Sequence, residues 1–139
     1  LGRLVELTIM NHLVSDLIIR IKNAALAHRK QVYLPYSKIS KSIAQLLVKE
    51  GFLTSVAEDM VDGIKMIKVE VAYQRRTPVL TAVTITSRPS LRLYVTVDDI
   101  KKRARKGYKT FVLTTSKGVM TGKEAIKEGI GGELLFEVQ

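Results

Sequence analysis

Between Phe52 and Ala72 two runs meet at Asp62-Gly63, and the second alternates Ile67, Val69 and Val71 with Lys68 and Glu70. An Asp-Gly pair supplies the positive φ of a tight antiparallel turn, and period-two alternation gives a ribbon one apolar face. The segment therefore reads as a hairpin. Ahead of it, from Asn11 onward, Leu13, Leu17, Ile18, Ile21, Ala24 and Ala25 recur at helical spacing, while Ser15, Lys22, Asn23 and Arg29 fall largely elsewhere. This pattern predicts an amphipathic helix ending near Ala27. Val32 to Pro35 is a short extended piece, and Ser37 caps a second helix with an Ile39, Ile43, Leu46, Leu47 stripe that Gly51 stops.

Gln74-Arg75-Arg76-Thr77-Pro78 breaks the periodicity and carries charge, so the boundary between the halves is placed at this short linker. Val79 to Thr86 is strand-like. After Arg88-Pro89, Leu91, Leu93 and Val95 alternate with Arg92, Tyr94 and Thr96, a strand whose polar face shows Arg92 and Tyr94 together. Asp98 is expected to cap a short helix ending before Gly107, followed by a strand from Thr110 to Thr115 that delivers a Ser116-Lys117-Gly118 turn. Thr121 and Glu124 have capping-box spacing for a helix ending at Gly129, and Leu134, Phe136 and Val138 alternate in a last strand. The expected fold is α+β in two small domains. Residues 10–74 form an N-terminal helix-strand-helix-hairpin unit, and residues 75–139 a mostly β unit with short helices.

The 139 residues carry a formal net charge of +10, a balance that favours polyanions, either nucleic acid or an acidic membrane face. Residues 1–76 hold twelve Lys and Arg against seven acids, and residues 77–139 hold eleven against six. A basic tail on a neutral domain is thereby excluded, and a polyanion-facing surface is expected to draw on both halves. There is no cysteine, hence no disulfide framework, thiolate nucleophile or Cys zinc site. No apolar run approaches the ~18 residues of a membrane span, and the N-terminus lacks the apolar core of a signal peptide, so a soluble intracellular protein is expected.

Thr114-Thr115-Ser116-Lys117-Gly118 places hydroxyls and one amine where a strand ends and a loop begins. Hydroxyls exchange hydrogen bonds with ribose and phosphate, lysine adds a point charge, and glycine lets backbone N–H groups come close. The competing reading is a polar turn that caps the Thr121 helix. Lys101, Lys102, Arg103, Arg105, Lys106 and Lys109 put six cations within nine residues, a density suited to phosphate, with a solvated helix face as the bland alternative. Gly131 and Gly132 are expected to permit backbone turns, and Glu133 either to orient Lys117 or to accept from a base donor. Catalysis fares poorly. His12 and His28 lack a nearby second ligand, Lys117 follows no Gly-x-x-x-x-Gly, Gly129-x-Gly131-Gly132 is not a dinucleotide fingerprint, and Glu58, Asp59 and Asp62 look like turn residues. No cofactor or metal is expected.

Six blocks occur in an order and spacing that resemble the small-ribosomal-subunit protein S-eight family. They are Met10 with Asp16 and Arg20-Ile21-Lys22-Asn23; Pro35-Tyr36-Ser37-Lys38; Glu50-Gly51-Phe52; Ser87-Arg88-Pro89-Ser90-Leu91-Arg92-Leu93-Tyr94; Thr114 to Thr121; and Gly129-Ile130-Gly131-Gly132-Glu133. Ser90 stands where the family has glycine, Thr114 replaces its commoner serine, and Gly107-Tyr108-Lys109-Thr110 departs from its more apolar approach to the loop. Leu1 to Ile9 lies outside the resemblance, as a trimmed extension or translated upstream sequence. The resemblance implies a non-enzymatic constituent of the small subunit. It also implies direct binding to the central domain of small-subunit rRNA, support of its assembly, and contacts to neighbouring small-subunit proteins. Its own messenger RNA is a further target the resemblance implies, through autogenous repression.

Carried over by position, Thr115, Ser116, Lys117 and Gly118 contact an irregular rRNA helix, and Thr114 keeps the hydroxyl. The resemblance also turns the segment after Arg88-Pro89 toward the RNA, which favours stacking by Tyr94 over a half-exposed strand tyrosine. Arg88 and Arg92 are phosphate or ion-pair residues. Arg20, Lys22, Asn23, Ser37, Lys38, Lys102 and Arg105 are secondary contacts, with ordinary capping at least as good a reading for Ser37. The location implied is the ribosome, cytoplasmic or organellar. An RNA-modifying enzyme or assembly factor is the runner-up and needs a cofactor pocket that the sequence does not show. A peripheral membrane protein is a third reading.

Overall fold

Helix α1 (Gly2–Leu26) begins well before the apolar periodicity does, a correction to the expected start at Asn11. Residues 3–10 contain no proline or glycine, so a helix nucleated downstream propagates through them at little cost. The computed structural model describes residues 2–88, 90–105 and 109–139, with side chains of α1 from Leu13 onward. The chain forms two units, one of residues 13–82 and one of residues 83–139 with the segment up to His12.

In the first unit α1 ends in a paired set of backbone bonds, Arg29 N–H to Ala24 O at 2.9 Å and His28 N–H to Ala25 O at 3.1 Å. His28 takes the left-handed conformation (φ 54°) that this cap requires, and its ring stacks on Tyr73 at 6.2 Å. β1 (Gln31–Pro35) follows, then α2 (Lys38–Lys49), whose N-cap Ser37 accepts from Ser40 N–H at 3.1 Å and whose Ile43, Ala44, Leu46 and Leu47 are buried. Gly51 (φ 89°) turns the chain into β2 (Leu53–Val61) and β3 (Ile64–Val71), joined by Asp62 (φ 51°) and Gly63 (φ 76°) as the dipeptide predicts. The sheet runs β1-β3-β2, all antiparallel. Leu34, Ile67 and Val69 share one face and are fully buried. α2 lies on that side, tied there by Lys41 Nζ to Glu58 Oε1 at 2.7 Å.

The segment expected as a linker is a hairpin. β4 (Tyr73–Gln74) pairs with β5 (Thr77–Pro78) around Arg75 (φ 52°) and Arg76 (φ 69°). Its base is pinned because the Tyr73 hydroxyl donates to Arg29 O at 2.5 Å, and Tyr73 packs beside Ala24, Ala25 and Val71. Arginine at both positions of a left-handed turn is unfavourable by steric preference, which is why the sequence did not signal it.

In the second unit the final strand is central. β6 (Val83–Ile85), β7 (Tyr94–Val95) and β8 (Thr110–Thr115) all pair with β10 (Gly132–Val138), and β9 (Gly118–Thr121) extends the sheet beyond β8. Both expected strands in residues 79–96 are shorter than their periodicity implies. A bulge between Leu134 and Phe136 shifts the ladder, so the N–H groups of Thr86 and Ser87 both reach Leu135 O. Arg88 and Leu91 then exchange backbone bonds at 2.9 and 3.0 Å across a tight turn, and Ser87 Oγ takes the Leu93 N–H. Leu91, expected on an inward face, is 74% exposed as a result. Pro89, Lys106, Gly107 and Tyr108 lie outside the described residues.

α3 (Val97–Ala104) is capped by Thr96 rather than Asp98: Thr96 Oγ1 accepts from Asp99 N–H, and the Asp99 carboxylate accepts from Thr96 N–H at 3.1 Å. α4 (Gly122–Glu128) starts at N-cap Thr121 and ends at Gly129 (φ 71°), as expected. Between helices and sheet sit Val95, Ile100, Phe111, Leu113, Met120, Ala125 and Leu134. The hydrogen bonds from Thr96, with smaller help from the cations Lys102 and Arg103, hold Asp99 below its ordinary 3.8. A lowered folded value means this cap contributes fully above pH 3.8 and is lost only as the pH falls through the still lower folded value. Asp99 is therefore expected to titrate below 3.8 by NMR, with α3 amide protection declining alongside it; titration at 3.8 or above contradicts the cap.

Candidate nucleic-acid interface

β8 and β9 close at Thr115 opposite Gly118, leaving Ser116 and Lys117 as the loop. Thr115 builds the turn: its hydroxyl donates to Gly118 O at 2.9 Å and accepts from Lys117 N–H at 3.2 Å. Gly118 sits at φ 110°, a conformation that side chains rarely adopt. Ser116 is exposed, and its hydroxyl has no hydrogen-bond partner among the described residues. Lys117 does not meet Glu133. It pairs instead with Glu128 at the end of α4, 3.1 Å away and well exposed, a partner eleven positions on that no local pattern signals.

The register places Tyr94, Glu133 and Thr114 side by side across three strands, so their side chains share one face of the sheet. Tyr94 is 66% exposed, while Glu133 is only 8% exposed and its Oε1 lacks a hydrogen-bond partner among the described residues. Gly131 and Gly132 make this row possible by close approach, not by a turn. A Cβ on Gly131 would stand 2.3 Å from Val95 O, and one on Gly132 2.3 Å from Thr114 O. The expectation that they permit turns is thus corrected: neither has positive φ, and the constraint is the spacing of β7, β10 and β8.

Arg88 is exposed and Arg92 half-buried, and neither forms an ion pair among the described residues. Of the cation cluster, Arg103 (3.2 Å) and Lys109 (3.7 Å) both turn to the buried Glu137, which leaves Lys101, Lys102 and Arg105 pointing to solvent. In the other unit, Arg20 pairs with Asp16 at 3.0 Å one turn away. Arg20 and Asn23 also line an open groove of about 400 Å³ together with Arg29, a cation the sequence reading did not single out for binding. Lys22 is half-buried and Lys38 exposed. Ser37 caps α2 and donates to Ser40 Oγ at 2.7 Å. Lys41 is occupied by Glu58, whose hydrogen bond raises the amine above its ordinary 10.5.

Among the described residues no group of His, Asp and Glu has metal-binding geometry, and no helix is long and apolar enough to cross a membrane. The fold and this surface define a class: a basic α+β protein, net charge +10, with a serine hydroxyl and a lysine exposed at one hairpin loop. The profile of ribosomal protein S8 matches residues 12–139, and the chain belongs to that family of structural, non-enzymatic proteins. It is 40% identical over 131 residues to small ribosomal subunit protein uS8 of Persephonella marina, covering 90% of this chain and 96% of that protein. The uS8 protein of Clostridium tetani is 37% identical over 128 residues, with 91% and 96% covered. Protein uS8c of Guillardia theta is 39% identical over 127 residues, with 90% and 96% covered.

Proposed function

We propose that this protein is a constituent of the small ribosomal subunit that binds the central domain of small-subunit rRNA directly, through its C-terminal unit, and supports assembly there. The observation that carries the reading is the row Tyr94, Glu133, Thr114 beside the unpartnered Ser116 hydroxyl. An irregular RNA helix offers unstacked base faces, 2′-hydroxyls and base donors in a shallow groove. Tyr94 stacks, Ser116 and Thr114 meet ribose or phosphate oxygens, and Glu133, which phosphate would repel, accepts from a base N–H. Lys117 exchanges its exposed partner Glu128 for phosphate at little cost, because such surface pairs are worth only about 0–1 kcal/mol. Arg88 and Arg92 add charge at the same end, and Arg20, Lys22, Asn23 and Lys38 serve as secondary contacts. Neighbouring small-subunit proteins complete its surroundings, and relatives from bacteria and from Guillardia theta fit bacterial and organellar ribosomes alike. Autogenous repression follows where its own messenger RNA copies the rRNA site.

The test is a mobility shift with a short irregular hairpin from the rRNA central domain against a fully paired duplex of equal length. The hairpin is expected to bind more tightly at every salt concentration; equal affinity leaves only a basic protein. Lys102→Ala with Arg105→Ala is expected to weaken matched and mismatched RNAs alike and to lower the salt slope by about 2, one per lost phosphate contact. Lost discrimination with an unchanged slope means these side chains read RNA structure instead.

A further inference from the structure

α4 covers one face of the sheet in the second unit, where Ala125 packs with Val95, Leu113, Met120 and Leu134. Tyr94, Thr114 and Glu133 each stand one position from a member of that set, so they lie on the opposite face. Lys117, in the loop between β8 and β9, is turned toward the helix side, where its amine meets Glu128 Oε2 at 3.1 Å. The backbone beneath it is fixed, because the Thr115 hydroxyl holds both Lys117 N–H and Gly118 O. What can change place is the flexible lysine side chain alone.

Glu128 stands where a carboxylate is disfavoured. It is the last residue of α4, just ahead of the left-handed Gly129 cap, and there the helix dipole attracts cations and opposes an acid. Lys117 is its only partner among the described residues, and the two side chains are 59% and 47% exposed. A surface pair this open adds little to folding. A local rule broken without a gain in stability points to function, and the residue that Glu128 engages is the one cation of the Thr114 to Gly118 loop.

We infer that Glu128 is an internal competitor of RNA phosphate: it holds the Lys117 amine on the helix side of the loop and yields it when an RNA on the other face brings a phosphate to the tip. The inference rests on the role proposed above for Lys117. A carboxylate fixed this close acts at a high effective concentration, so an RNA that calls on Lys117 must first displace it. An RNA that also engages Tyr94, Thr114 and Glu133 is held in place while the amine changes partners. One met by the loop alone loses the amine back to Glu128 and departs. Because the pair is exposed its hold is small, and it acts on residence time more than on encounter.

The test is a double-mutant cycle on the full chain, with affinity and dissociation rate for the irregular rRNA hairpin measured at low salt, where charge pairs are least screened. Glu128→Gln is expected to tighten binding about threefold, through slower dissociation. It is expected to leave the melting temperature in place or raise it, since it removes an acid from a helix C-terminus. In a Lys117→Ala background the same substitution is expected to change affinity no more than Glu50→Gln does, an exposed acid of the first unit that controls for net charge. Equal tightening in both backgrounds, a gain no larger than that of Glu50→Gln, or a lower melting temperature without a gain in affinity overturns the competitor. The reading beneath it fails differently. If Lys117→Ala alone leaves hairpin affinity unchanged, Lys117 meets no phosphate and both are overturned; if Lys117→Ala weakens binding while Glu128→Gln does nothing, only the competitor is lost.

Discussion

Gly132→Ala is expected to lower the melting temperature by roughly 10 °C or more, which corresponds to about 3 kcal/mol for a chain of this size. The added Cβ would lie 2.3 Å from Thr114 O and 3.0 Å from Thr115 Cγ2, and the first of these is backbone, which has no rotamer to change. β10 must therefore move away from β8, which separates Glu133 from Thr114 and opens the ladder above Leu113 and Leu134. The control is Gly63→Ala, where nothing stands within 4 Å and only the left-handed φ of 76° resists; it is expected to cost about 1 kcal/mol. Thermal melts of the two variants decide the matter. A Gly132→Ala protein melting within 2 °C or so of the parent, on the same stability scale, shows that the strands absorb the methyl group and that the close approach is not a constraint.

Ser116→Ala and Thr115→Ala should separate binding from folding at adjacent hydroxyls. Ser116 has no bond to lose within the described protein, so its removal is expected to leave the melting curve in place while costing about 1–3 kcal/mol of specific RNA affinity, the scale of a polar partner left unsatisfied. Thr115 holds Gly118 O and Lys117 N–H together, so Thr115→Ala should lower stability by about 1 kcal/mol for each of those bonds and loosen the loop. Lys117→Ala is expected to flatten the salt dependence, which Ser116→Ala leaves alone. Mobility shifts at two salt concentrations and one melt per variant suffice. If Ser116→Ala melts many degrees lower with RNA affinity unchanged, the turn is a structural element and the interface lies elsewhere.

The parts of the fold that were legible are those whose information is local. Asp62-Gly63, the Ser37 cap with its apolar stripe, and Thr121 with Gly129 each specify their turn or helix end within a few residues, and each is where the sequence placed it. What escaped depends on distant partners. Leu91 points outward because the bulge between Leu134 and Phe136 in β10 diverts the chain at Thr86 and Ser87. Arg75-Arg76 forms a left-handed turn because Tyr73 is fastened to Arg29, and Lys117 finds Glu128 only after α4 has folded back. For the candidate interface, residue chemistry indicated the Thr114 to Gly118 loop and Glu133, and family resemblance favoured Tyr94. That all of these meet in one row follows from strand register, which period-two patterning does not give between strands distant in sequence.

The placement of β10 has a kinetic consequence. β6 and β7 have no sheet neighbour among the described residues except β10, and Val83 waits for Val138 as Tyr94 waits for Glu133. As the chain emerges during synthesis, the first unit finishes its sheet once β3 is available, whereas two strands of the second remain unpaired until residues 132–138 follow. Contacts so far apart in sequence close slowly, because the loop entropy is lost before the pairing repays it. The row of Thr114, Glu133 and Tyr94 is then the last part of this sheet to form. If the row binds RNA as proposed, a partly made chain carries Tyr94 and its cations but lacks Glu133, so attraction to RNA would precede discrimination, and nascent chains would associate with many RNAs loosely before any is selected.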